Sequence, residues 1–178
     1  GADSRPLARG LSLGKDTLTP LLGEGSAFPY HINREDLAMS VDNHEIGRRF
    51  MEEIIGQGRW SEAGEIMSDD VVMHHPSSPQ PVAGIDAVKG FLIAFRTGFP
   101  DLNMKAEDVA ADGDKVVVRW RVRGTHTADL FGIPPTGKAM NVAGISWLRI
   151  ADGKIVEDWL SEDTMGLMQQ LGLIPAQG

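Results

Sequence analysis

The chain has 178 residues, 42% of them hydrophobic and 24% charged, with a net charge of −8 and no cysteine. Such a chain is one domain in size and buries about two-thirds of its unfolded surface, and the composition excludes a disordered or fibrous protein. The charge gives no field to draw a phosphate backbone, and the lack of thiols removes disulfides, thiolate nucleophiles and thiolate metal sites.

Residues 1–40 are rich in Gly, Pro and Ser, and Leu11, Leu13, Leu18, Leu21 and Leu22 keep no period. They read as an irregular N-terminal arm before a domain over residues 41–178. From Val41, apolar residues return at helical spacing (Ile46, Phe50, Ile54, with Met51 and Ile55) until Gly56 and Gly58, which predicts a first helix. A short helix is expected over Trp60 to Met67, then a strand over Val71 to His75 stopped by Pro76. Residues Gly84 to Gly98 place Ile85, Val88, Leu92 and Phe95 on one helical stripe.

Beyond Phe99-Pro100-Asp101 the pattern turns to strands at Leu102 to Ala111, Lys115 to His126, Lys138 to Ile150 and Lys154 to Ser161. Asp112-Gly113-Asp114 and Asp152-Gly153-Lys154 are hairpin signals, because Gly accepts positive φ. A last helix is expected over Met165 to Leu171, with Asp163 able to cap it. The order of helices, strand, helix, long meander and helix predicts an α+β fold in which a curved, mostly antiparallel sheet wraps around helices.

Alternation after Asp114 places Val116, Val118, Trp120, Val122 and His126 on one face, with Arg119, Arg121 and Arg123 on the other. An imidazole on the core face needs a partner or a ligand, unless it emerges at the strand end. His74 shares a face with Val72, and His75 shares the opposite one with Val71 and Met73, so either can be the buried one. Adjacent strand histidines point apart and make a poor metal pair, so no metal site is expected. In a straight last strand Ile155, Glu157, Trp159, Ser161 and Asp163 share one parity, so Trp159 and Asp163 could approach one cavity. Gly132 to Lys138 lacks the phosphate-loop spacing, and neither a dinucleotide fingerprint nor a serine elbow occurs. No membrane span or signal-peptide pattern appears, and cytoplasmic placement is expected, although a removed signal peptide would leave no trace.

Val116-Val117-Val118-Arg119-Trp120, Gly124-Thr125-His126-Thr127, Leu130-Phe131-Gly132-Ile133-Pro134-Pro135-Thr136-Gly137-Lys138, Asp152 to Trp159 and Gly166-Leu167-Met168-Gln169-Gln170-Leu171-Gly172 together resemble the SnoaL-like polyketide cyclase (ester cyclase) family. His74-His75-Pro76, Gly84 and Phe99 to Leu102 extend the resemblance upstream. It implies the nuclear transport factor 2-like (cystatin-like) cone, a cone-shaped α+β barrel, as a homodimer with a pocket for a small apolar, polyketide-like molecule. The implied chemistry is cofactor-independent acid/base work such as intramolecular aldol cyclisation. Isomerisation, dehydration, epoxide hydrolysis and simple binding are the alternatives. By the same resemblance, His126, His74 and Asp163 are the catalytic candidates and Trp120 and Trp159 the walls. Family cyclases use a pocket aspartate on the C-terminal strands. The strand from Lys138 to Ile150 has no carboxylate, so Asn141 or Ser146 stands where that acid is expected, or Asp163 serves instead.

Overall fold

The computed structural model describes residues 34–175, with side chains from residue 42 onward. Most of the expected N-terminal arm therefore lies outside the described residues. The first helix, α1 (Arg34–Arg49), starts before Val41, where the apolar period begins, and widens into a π-helical turn over Phe50–Ile55. A 3₁₀ turn (Trp60–Glu62) and a short α2 (Ala63–Ile66) follow, then β1 (Met67–His74), β2 (Val82–Ala83) and α3 (Ile85–Gly98). The meander is β3 (Asn103–Asp112), β4 (Lys115–Thr125), β5 (Ala139–Ala151) and β6 (Lys154–Glu162), closed by α4 (Thr164–Leu171).

One six-stranded sheet runs in the order β2-β1-β6-β5-β4-β3. It is curved and unclosed. All pairs are antiparallel except β1 with β6, because β1 returns through α3 before the meander and meets the last strand in the parallel sense. The two hairpin turns lie where the Asp-Gly signals place them, with Gly113 at φ 55° and Asp152 and Gly153 at φ 51° and 71°. β2 is too short to show any period in the sequence.

The concave face carries the helices: α1 lies against β3 and β4, α3 against β1, and α4 against β5. At Gly47 the helix comes so close to β4 that an added Cβ would stand 2.8 Å from Val116 Cγ1 and 2.9 Å from Val118 Cγ2. Phe50, Ile54, Val116, Val118, Trp120, Leu148 and Ile155 fill the core between them. Among the described residues no helix is long and apolar enough to cross a membrane.

Candidate active site

The inner wall begins on β4, where Val116, Val118, Trp120 and Val122 are buried and Lys115, Arg119 and Arg123 are exposed. Trp120 pairs with Gly144 of β5, where an added Cβ would stand 2.2 Å from Trp120 Cζ2. The missing side chain is what lets the indole lie across the neighbouring strand. Trp120 Nε1–H donates to Ser146 Oγ at 3.4 Å, and Ser146 is itself fully buried. Beside it lies Asp158, only 2% exposed. Burial pushes the Asp158 carboxyl up to about 7, against the downward pull of the Ser146 hydroxyl, and its Oδ1 has no partner among the described residues.

β6 does not run straight. Ile155 pairs with Ile150 and Glu157 with Arg149, so Val156 is an extra residue in a bulge. A one-residue insertion exchanges the faces of everything beyond it. Ile155 and Asp158 are therefore buried while Glu157 and Trp159 turn outward, which corrects the single parity expected for Ile155, Glu157, Trp159 and Asp163.

His74 and Trp159 are accordingly a pair on the outer face, their rings stacked 4.8 Å apart and 1° from parallel. His74 Nε2 sits 3.0 Å from Glu157 Oε1, and Arg149 donates to Glu157 Oε2 at 3.0 and 3.1 Å. Burial raises the Glu157 pKa, but the hydrogen bonds from His74 and Arg149 outweigh it and hold it below the usual carboxylate range. Asp163 takes the capping role, accepting Gly166 N–H on Oδ1 at 2.8 Å. Asn141 is exposed; its N–H donates to Gln170 Oε1 at 2.7 Å, and its Oδ1 accepts from Arg121 at 3.3 Å.

His126 is fully buried, as its parity predicts. The Thr136 N–H donates to its Nδ1 at 3.3 Å, with Thr136 Oγ1 3.1 Å from the same nitrogen, and its Nε2 has no partner among the described residues. The ring packs 5.4 Å from Phe99, and His126 ties off the base of the loop that follows: its N–H donates to Lys138 O and its carbonyl accepts from Gly137 N–H. It is not one of the cavity-lining side chains.

The cavity has a volume of about 350 Å³, with apolar walls from Phe91, Phe95, Leu130 and Phe131. A deeper recess of about 40 Å³ shares Phe91 and Phe95 with it and reaches Trp120 and Met104. His75 and Glu162 line both. His75 Nε2 stands 3.6 Å from Glu162 Oε1, and the two side chains are 10% and 8% exposed. Ser77 N–H donates to His75 Nδ1 at 3.1 Å, which leaves the Nε2 proton directed at the carboxyl. Burial lowers the His75 pKa. It raises that of Glu162, aided by the charge of Asp163 and opposed by the nearby Thr164 hydroxyl.

A tight loop covers one side. Leu130 and Ile133 exchange backbone hydrogen bonds of 3.1 and 2.9 Å around Phe131 and Gly132, both at positive φ, 51° and 85°. This is the two-residue turn that normally takes Asn-Gly. A residue other than Gly, Asn or Asp there costs about 1–2 kcal/mol.

The sequence model of SnoaL-like polyketide cyclases matches residues 45–171, which is most of this chain and all of the site. The chain belongs to the SnoaL-like polyketide cyclase family. Relatives of this SnoaL-like protein include the aklanonic acid methyl ester cyclases DnrD of Streptomyces peucetius and DauD of Streptomyces sp. strain C5. Each is 29% identical over 110 residues, 61% of this chain and 72% and 65% of their own lengths. A SnoaL-like protein of Jannaschia sp. CCS1 superposes with a TM-score of 0.70 at 28% identity, over 76% of this chain and 95% of its own. IdmH of Streptomyces antibioticus does so at 0.62 and 27%, over 74% and 98%.

In this SnoaL-like protein the carboxylate that reaches the cavity is Glu162, one residue before the aspartate singled out from the sequence, and the imidazole is that of His75. His75 was open in the sequence as the alternative to His74, whereas Glu162 was missed, because a straight β6 would turn it to the face opposite Asp163 and only the bulge at Val156 brings it inward. A neutral imidazole donor and a carboxylate of raised basicity, together in an apolar enclosure, can move a proton between carbon and oxygen. Among the described residues no three His, Asp or Glu side chains converge as a metal ion would require.

Proposed function

We propose that this SnoaL-like protein catalyses an intramolecular aldol cyclisation of a polyketide-like substrate, with Glu162 as the base and His75 as the donor. The observation that carries it is the His75–Glu162 pair, 3.6 Å apart and facing an apolar cavity. Glu162 takes the proton from a carbon beside a carbonyl. The enolate carbon attacks a second carbonyl of the same molecule, and the new alkoxide, held by His75 Nε2–H, takes the proton back from Glu162. Atoms balance with no co-reactant, because the product is an isomer of the substrate. The names of the two curated relatives, both aklanonic acid methyl ester cyclases, support the reaction class and suggest the first substrate.

The test is turnover of aklanonic acid methyl ester, followed by loss of the open-chain compound. Glu162→Gln is expected to slow cyclisation about 10²–10⁴-fold. An unchanged rate in Glu162→Gln would remove the pair from the chemistry.

A further inference from the structure

The turn that covers the cavity holds a residue the fold alone does not call for. Phe131 occupies the first position of the Leu130–Ile133 turn at φ 51°, where a bulky side chain is strained and Asn would be relaxed. Its ring is 53% exposed, so the burial that usually compensates an aromatic side chain is also incomplete. What it does reach is the cavity: Phe131 lines it, with its ring centroid 5.1 Å from that of Phe91, which lies 4.7 Å from His75. The turn is held from behind, since Asp129 Oδ1 accepts Gly132 N–H at 3.0 Å and His126 ties the loop base to Gly137 and Lys138. A strained, half-exposed ring on a fixed turn at the mouth of an apolar cavity is placed for a ligand.

We infer that Phe131 is a specificity-determining lid residue, which stacks on a flat, apolar ring system bound in the cavity and seats it against Phe91 and the His75–Glu162 pair. The inference rests on the cavity being the substrate site. Apolar burial and ring stacking make its preference one for fused or conjugated rings over flexible chains of equal size.

The experiment measures Nile red, a neutral, flat, polycyclic dye, together with thermal unfolding of the whole chain. Phe131→Asn relieves the backbone strain and removes the ring, so the midpoint is expected to rise by about 2–6 °C while dye affinity falls about tenfold. Phe131→Tyr keeps the ring and should retain wild-type affinity. Equal binding by wild type and Phe131→Asn overturns the lid role and leaves the catalytic pair standing. A wild-type protein that leaves the dye dark overturns the cavity as a binding site and the lid with it. Loss of cyclisation in Glu162→Gln is read separately and does not enter the dye result.

Discussion

Glu162 and Asp163 are neighbours in the chain and part in space. Glu162 turns into the cavity to face His75, while Asp163 turns out and caps α4 through Gly166 N–H. On the proposed mechanism, chemistry falls to the first and folding to the second. Asp163→Ala is expected to lose about 1 kcal/mol of stability, the usual cost of an N-cap, and to keep its turnover on the pH plateau. Urea unfolding and initial rates check the two halves. A collapse of turnover in a folded Asp163→Ala protein would return the acid/base role to Asp163.

The pH dependence follows from burial. Glu162 must be ionised to act as base, and burial holds its pKa above the ordinary value of 4.5. The activity is therefore expected to be lost on the acid side at a pH above the range of a solvated glutamate. Burial moves the His75 pKa below 6.5, so its deprotonation adds no alkaline limb. Removing the Asp163 charge, which helps to raise Glu162, should move the acid limb to lower pH. A profile of kcat/KM from pH 4 to 9 tests this, and a limb that stays with the ordinary carboxylate range would mean a solvated base.

Much of the scaffold was legible because its signals are local. The Asp-Gly turns mark both hairpins, and strict alternation from Val116 to Val122 fixes the inner face of β4 and the burial of Trp120 and His126. The site was less legible because it depends on distant decisions. Nothing in Lys154-Ile155-Val156-Glu157 announces a bulge, yet that single extra residue sends Trp159 outward and Asp158 and Glu162 inward. The parity of His75 with Val71 and Met73 was plain, but only the packing of α3 on β1 says which face is interior. Phe131 stands just before the Gly132 to Lys138 stretch, and its place at the cavity mouth comes from tertiary structure alone.

Ser146 stands between the indole of Trp120 and the carboxyl of Asp158, and all three are buried. Ser146→Ala leaves the Trp120 N–H without an acceptor and Asp158 without its nearby hydroxyl. The expected loss is about 1–3 kcal/mol, since a buried polar group deprived of its partner bears its full desolvation cost. Denaturant midpoints report it. A neutral result would mean that the indole N–H finds another acceptor.

Gly144→Ala asks whether Trp120 must lie across β5. The added methyl would meet Trp120 Cζ2 and Cη2 at 2.2 and 2.4 Å and the Ser161 carbonyl at 2.8 Å. Backbone and ring would both have to yield, so a loss of about 1–3 kcal/mol or more is expected, with a shift in tryptophan near-ultraviolet circular dichroism. An unperturbed spectrum and midpoint would place the ring elsewhere.

Asp158 makes a separate prediction about stability. Its carboxyl is raised from 3.8 to about 7 in the folded protein, so the folded state binds the proton more tightly than the unfolded chain does. Stability from this group is fully present below the unfolded pKa and is lost as pH rises through the folded one. Asp158→Asn removes that titration and leaves His75 and Glu162 in place, so their contributions cancel in the difference between the two proteins. Between pH 5 and 8 the wild type is expected to lose on the order of 2 kcal/mol relative to Asp158→Asn. Urea unfolding of both proteins at the two pH values measures the difference directly. Parallel pH dependence would show that the carboxyl reaches solvent or finds a cationic partner, and that its burial beneath Ser146 does not govern its proton.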